Sequence, residues 1–263
     1  MLRAAAFVSV VVAVLNSAHA GSARADETVA LYQAYWAGLP AGEIRLTLRD
    51  DPDLYRGEIL IRTVGLAGLA TRFRGSAVSE GRLAPALLPV PVRYDAVYDL
   101  RKRRDRRISM NFAPRAGITI AERGAADTSN KPPLAEPFRA NVLDPLSALA
   151  AIRHELRQGR RGEFTVPVYD GARRFDVIVR ILPPESGESR DRARQLELTL
   201  SPIAGFKGET SEDGDPDTAP RPVTLRISDD SRLMPLSMRV SLYYLPLAVE
   251  LSRWCGAAAP CPW

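Results

Sequence analysis

Apolar side chains fall at every second position through segment after segment of this 263-residue chain. A two-residue period admits only the extended strand, which throws successive side chains to opposite faces. Ile44, Leu46 and Leu48 share one face, as do Val92, Tyr94, Ala96 and Tyr98. Ile108, Met110 and Phe112 alternate, then Phe164, Val166 and Val168, then Phe175, Val177, Val179 and Ile181. Leu196, Leu198 and Leu200 continue the pattern, followed by Val223, Leu225 and Ile227, and by Leu236, Met238, Val240 and Leu242. Polar or charged residues stand between the members of each set, so each strand has one wet face, as antiparallel sheets do. Turn chemistry agrees. Gly38-Leu39-Pro40-Ala41-Gly42 separates the first two strands, and Asp170-Gly171 is a two-residue hairpin signal between Tyr169 and Arg173.

One segment breaks the period. Asp144-Pro145 offers a cap residue and a proline at the first helical position. Leu146, Leu149, Ala150, Ile152 and Leu156 follow at helical spacing, and Gly159 supplies a stop. The pattern predicts one amphipathic helix of about three to four turns. The expected fold class is mainly β: a long curved antiparallel sheet of roughly a dozen or more strands, forming an open or partial barrel with this helix packed on it. Residues 125–137, with Pro132-Pro133, and residues 208–222, rich in Asp, Glu, Thr and Pro, read as mobile loops.

The first residues carry the three parts of a secretory signal: Met1-Leu2-Arg3, an uncharged and mostly apolar run over 4–15, and the small-x-small triplet Ala18-His19-Ala20. Residues 1–20 are therefore expected to be a signal peptide and 21–263 a single β-rich exported domain with a Cys-bearing C-terminal tail. A second triplet, Ala23-Arg24-Ala25, would move the cut to Asp26. The signal core is shorter than the ~20 residues a spanning helix needs. Residues 242–251 are shorter still and contain Pro246 and Glu250, so no transmembrane segment is expected in the mature chain. Removing Arg3 from 36 basic residues leaves 35 against 31 acidic ones, a balance of +4. So mild an excess on an exported chain makes nucleic acid an improbable partner.

Cys255 and Cys261, the two cysteines, are expected to pair, because an even count in an exported chain favours a disulfide. Their loop is short, so the bridge would contribute about 2 kcal/mol and pin the tail. Two thiols without a neighbouring His make an incomplete zinc shell, and no metal site is expected.

Catalytic constellations are hard to assemble. His154 is the only histidine beyond the signal and reads as a surface or structural residue, and no Gly-x-Ser-x-Gly elbow is present. A Ser-His-Asp hydrolase would have to use this one residue and a His-ligated metal centre would have one imidazole at most, so no catalytic residue and no cofactor is expected. Asp213, Asp215 and Asp217 have calcium-loop spacing, but Thr218 stands where the sharp turn needs glycine and Thr224 where the closing acid belongs. They read as a solvated acidic loop. The densest charge run is Arg101, Lys102, Arg103, Arg104, Asp105, Arg106 and Arg107. Lys102, Arg104 and Arg106 are in register with Ile108, Met110 and Phe112. Burying three like charges costs too much, so the hairpin is expected to project past the core into water. There it would either meet anionic lipid headgroups or lipopolysaccharide phosphates, or serve as a solvated edge that discourages sheet aggregation. Tyr35, Trp36, Phe73, Tyr94 and Tyr98 either line an apolar groove on a concave sheet or belong to ordinary core.

Four stretches carry a family resemblance. These are Tyr35-Trp36-Ala37-Gly38-Leu39-Pro40-Ala41-Gly42-Glu43, Asp144-Pro145-Leu146-Ser147-Ala148-Leu149, Tyr169-Asp170-Gly171 with Arg173-Arg174-Phe175-Asp176, and Ile227-Ser228-Asp229-Asp230-Ser231-Arg232-Leu233 through Pro235. Together they resemble an uncharacterised exported domain of unknown function from Gram-negative bacteria. The resemblance implies a periplasmic, β-rich protein and transfers no catalytic residue. At the level of fold alone, the pattern is also similar to lipoprotein-carrier and envelope-integrity proteins that form open barrels. The expected function is non-enzymatic: binding or carrying a lipidic or apolar envelope component. One alternative is an enzyme that acts on envelope glycans with two of Asp95, Asp99, Asp170 and Asp176. Another is an interaction scaffold that offers an open sheet edge to an envelope protein.

Overall fold

The computed structural model describes residues 26–84, 87–100, 103–128, 132–183, 193–206, 219–242 and 245–256. Their alternating pattern forms two antiparallel meanders. The first runs through β1 (Asp26–Trp36), β2 (Leu39–Asp50), β3 (Leu54–Thr63), β4 (Arg74–Ala84), β5 (Leu87–Leu100), β6 (Arg103–Arg115) and β7 (Ile118–Arg123), with a short helix α1 (Gly65–Thr71) between β3 and β4. A second helix, α2 (Pro145–Arg157), leads into the return meander. That meander comprises β8 (Glu163–Tyr169), β9 (Arg174–Ile181), β10 (Ala193–Ala204), β11 (Arg221–Ser228), β12 (Pro235–Leu242) and β13 (Leu245–Gly256). Every strand pairs with its chain neighbour, and β13 pairs with β1 from Thr28↔Gly256 to Trp36↔Leu247. The result is a single 13-stranded sheet in the order β7-β6-β5-β4-β3-β2-β1-β13-β12-β11-β10-β9-β8. The β1–β2 turn is tight because Ala37 and Gly38 both adopt positive φ (49° and 80°), the backbone that two-residue hairpins demand.

The free edges of this sheet, β7 and β8, approach one another, and residues 139–143 span the gap. Ala121 and Asn141 donate backbone hydrogen bonds across one side, to Arg139 and Thr119 at 2.9 and 2.7 Å. Leu143 N–H donates to the Pro167 carbonyl at 2.9 Å, and Tyr169 N–H donates to that of Leu143 at 2.8 Å on the other. Backbone groups that would template aggregation are thereby paired. The curved, antiparallel, mainly β architecture expected from the alternation is present, nearly closed into a barrel.

The same segment delivers α2 into the interior. A helix lying on a sheet buries one stripe, whereas α2 buries nine side chains around its circumference. Ala148, Ala151, Ile152 and Leu156 pack on Val166, Val179, Leu196 and Val223 of the return meander. Leu146 joins Leu46, Tyr94 and Met110 of the first. Each Leu, Ile or Val side chain so buried contributes about 1.5–3 kcal/mol, and each alanine methyl less. Polar residues are enclosed too. His154, 7 % exposed, is a buried helix residue rather than a surface one. Arg153 donates to the Arg232 and Leu233 carbonyls and pairs with Asp50 at 2.9 Å, fastening the helix C-terminal half to β2 and the β11–β12 loop.

Two expectations change. Helix α1 has no counterpart in the sequence reading, because Gly65-Leu66-Ala67-Gly68-Leu69-Ala70 lacks a polar cap and a long apolar stripe. Residues 125–137 are held where they are described. Gly124 N–H donates to the Ser109 carbonyl, Ser109 N–H to Asp127, and Arg107 N–H to the Thr128 hydroxyl. Residues 208–218, most of the other predicted loop, lie outside the described residues, as do Asp213, Asp215 and Asp217.

Candidate functional site

The inward positions of β4 are Gly75, Ala77, Ser79 and Gly81. Four small side chains in a row leave room that neighbouring strands must fill or leave open. Deep in the barrel they are covered. The Tyr55 ring lies over Gly81, where a Cβ would collide with its hydroxyl, and the start of α2 lies over Ser79. Asp144, fully buried, accepts the Leu146 and Ser147 amides at 3.0 Å each through Oδ1. Through Oδ2 it accepts the Ser79 hydroxyl at 2.9 Å and that of Ser147. Ser147 Oγ also bonds the Tyr55 hydroxyl at 2.6 Å. Burial pushes the Asp144 carboxyl above the usual carboxylate range, against the pull of its four donors. Burial and the Asp144 charge likewise raise the Tyr55 hydroxyl. Every member of the cluster is bonded to another, so it works as a rivet holding α2 against β3 and β4.

Nearer the barrel end only the Phe73 ring lies over the stripe, at Gly75, and a cavity of about 760 Å³ remains. Its walls are Leu46, Ile59, Ile61, Ala77, Ala96 and Ile108 with the rings of Phe73, Tyr94 and Tyr98, and its floor is Pro145, Leu146 and Leu149 of α2. The β8–β9 hairpin closes the far side. It reaches across the barrel until Gly171 abuts Ile108, where a Cβ would collide. Asp170 holds that turn by accepting the Ala172 and Arg173 amides and pairing with the Arg173 guanidinium at 2.9 Å. A mostly apolar space of this size lies within the range of small-molecule sites. It equals roughly 25 water volumes at ~30 Å³ each.

Apart from the buried Tyr94 hydroxyl, which desolvation and then the Asp144 and Asp170 charges push up, the charged groups of the lining gather at the mouth. Arg106 stands opposite Tyr98 in the β5–β6 pairing, half-buried, and donates to the Thr128 carbonyl at 3.3 Å. Arg107 and Arg173 complete the rim, and Asp170 offsets Arg173. The strict alternation drawn back from Ile108 stops here. Register shifts between Tyr98 and Leu100, and Asp105 takes φ +54° while its N–H donates to Asp99 at 2.7 Å. Arg106 therefore keeps the inward face at the cavity edge. Arg103 and Arg104 open β6 beyond it, and Arg101 and Lys102 lie outside the described residues.

Of the five aromatics read as a groove, Phe73, Tyr94 and Tyr98 line the cavity. Tyr35 and Trp36 do not: Tyr35 alternates away from buried Tyr32 and Ala34, and Trp36 is 41 % exposed at the β1–β2 turn. The four carboxylates considered for glycan chemistry are engaged separately. Asp95 pairs with Arg93, Asp99 with the Asp105 amide, Asp170 with its own turn, and Asp176 with Arg174 at 2.7 Å. Burial raises the Asp95 carboxyl, but bonds from Arg93 and Ser109 and the nearby arginine charges bring it below the usual range, opposite to what a general acid needs. Among the described residues no three His, Cys, Asp or Glu side chains converge as metal ligands. No described helix is long and apolar enough to cross a membrane. Cys255 sits in β13 opposite Val29, and Cys261 lies outside the described residues. The small stripe of β4 and the floor residue Leu149 were not read as site residues. The strand lacks large apolar alternation, and Leu149 carries no signal beyond its place on the apolar stripe of the helix.

A nearly closed antiparallel barrel, plugged along part of its length by an internal helix and hollow at one end, defines a barrel-like β protein with a ligand-sized cavity. Residues 31–244 match the family described as "Protein of unknown function (DUF3108)", and the chain belongs to that family. No curated protein matches it in sequence. Among solved structures it is similar to a beta-barrel-like protein of the domain of unknown function DUF1849 from Brucella abortus. That likeness has a TM-score of 0.53 with 10 % identity, over 89 % of this chain and 99 % of that one, and it bears on the fold alone.

Proposed function

We propose that the protein is an exported, periplasmic, non-enzymatic binder of an elongated apolar or lipidic envelope molecule. The apolar part of the ligand lies in the cavity, and its polar, anionic end stays at the mouth beside Arg106 and Arg107. The observation that carries this reading is the cavity of about 760 Å³, walled by aliphatic and aromatic side chains and edged by arginine. An apolar chain gains about 0.8 kcal/mol per methylene on leaving water. An anionic head keeps its hydration where the guanidinium groups are. The expected Cys255–Cys261 bridge holds the end of β13, the strand that closes the barrel on β1.

The mature chain, residues 21–263, is titrated with a naphthylamine dye whose emission rises in apolar surroundings, and the dye is then competed with alkyl carboxylates. Ala96→Trp places an indole against the opposing Ala77, a pairing that fills the cavity from its wall. The expected result is saturable dye binding by the wild type, displaced by the carboxylates and weakened at least tenfold in Ala96→Trp. Absence of saturable binding, or equal binding by a folded Ala96→Trp, refutes the reading.

A further inference from the structure

The end of the barrel at which the cavity opens also carries an exposed apolar rim. The β1–β2 turn, α1, the last residues of β5 and β12 and the first residues of β6 and β13 all lie at this end, as strand direction requires. Leu66 and Leu69, three residues apart on α1, are 71 % and 70 % exposed. Leu39 is 58 % exposed, and Trp36 and Leu245 are each 41 % exposed. These tips are contiguous. Ala37 N–H donates to the Pro246 carbonyl at 2.9 Å, and Val64 N–H to that of Ala41 at 3.0 Å, so the two turns and α1 are bonded into one border. Helix α1 contains no charged residue, yet its two largest side chains face outward. A solvated helix normally turns such residues inward.

We infer that this rim is a docking surface for a bilayer rich in anionic lipid, with the Leu66–Leu69 face of α1 entering the headgroup–acyl boundary. Charge complementarity selects this occupant. Arg72 and Arg74 follow α1 directly and are both exposed, with Asp99 the cross-strand neighbour of Arg74. Arg106 and Arg107, at the edge of the cavity, stand at the same end. An apolar tip bordered by arginines is the pattern of interfacial membrane segments, in which aliphatic side chains enter and guanidinium groups stay with the phosphates. A second copy of this chain would bring the same cations face to face. The inference deepens the ligand-binding reading, because a mouth seated on a bilayer lets an apolar ligand pass between cavity and membrane without crossing water.

The test is flotation of the mature chain with vesicles of phosphatidylethanolamine and phosphatidylglycerol, against vesicles of phosphatidylcholine. The wild type is expected to float with the anionic vesicles and to be released by raised salt. Leu66→Asp with Leu69→Asp, and separately Arg72→Glu with Arg74→Glu, are each expected to weaken that binding at least tenfold while dye binding in the cavity is kept. Leu54→Asp, an exposed leucine at the opposite end, is expected to change nothing. No flotation, equal loss in Leu54→Asp, or a concentration-dependent dimer that the rim substitutions dissolve overturns the inference. Flotation with no dye binding would leave the docking surface standing and remove the cavity's role.

Discussion

Replacing Asp144 tests whether the rivet beneath the cavity holds the helix in place. Asp144→Ala deletes the N-cap of α2, worth about 1 kcal/mol. It also leaves the Leu146 and Ser147 amides without their acceptor in a dry interior, at roughly 1–3 kcal/mol for each stranded donor. The hydroxyls of Ser79, Ser147 and Tyr55 can still bond among themselves, at 2.9 and 2.6 Å. The two amides are the very bonds the cap makes, so the terms overlap and the expected loss is about 2–6 kcal/mol. Asp144→Asn keeps an oxygen for both amides and removes a buried charge, so it should fall within about 1 kcal/mol of wild type at neutral pH. The two variants also separate by pH. The raised Asp144 pKa means that the folded state binds a proton which the unfolded chain has already released, over the range from the ordinary carboxylate value up to the folded one. In that window stability falls as pH rises, so acidification should favour wild type over Asp144→Asn. Urea unfolding at neutral and mildly acid pH, with the denaturant slope unchanged, measures both effects. A loss below about 1 kcal/mol in Asp144→Ala, or a wild-type advantage that shrinks on acidification, would refute this account of the cluster.

Arg153→Met leaves two carbonyls without their donor and Asp50 with only Arg157, at 2.5 Å, so about 3 kcal/mol should be lost in chemical denaturation. Along a series of alkyl carboxylates, Kd from dye displacement should fall roughly fourfold per methylene, the ratio that ~0.8 kcal/mol corresponds to, and level off once the cavity is full. A flat series would mean that the chain does not enter. Thiol titration of the unreduced, denatured chain over residues 21–263 should find no free thiol until reductant is added. Replacing both Cys255 and Cys261 by Ser should then cost about 2 kcal/mol.

The strands of the return meander were legible because their alternation is local: Val177 and Val179 face the core wherever the strand is placed. Helix α2 was legible for the same reason, since Asp144 and Pro145 begin a helix by contacts within three residues. The quoted family stretches turn out to hold turns and caps. Asp170 and Asp230 each accept backbone amides of their own turns, and Gly171 is glycine because Ile108, from a distant strand, leaves no space for a Cβ. Strand β4 was invisible, because Gly75, Ala77, Ser79 and Gly81 carry no hydrophobic signal.

By itself, the order of side chains determined a barrel-forming antiparallel sheet, one capped helix and a basic hairpin. Each of these depends on periods and contacts a few residues long. Tertiary structure decided that the helix lies inside, that residues 139–143 bridge the sheet edges, and that Phe73, Tyr94 and Tyr98 share a cavity from which Tyr35 and Trp36 are absent. An empty space belongs to no residue. It exists only where the small stripe of β4, the first turn of α2 and a hairpin nearly 100 residues further along the chain come to stand around it.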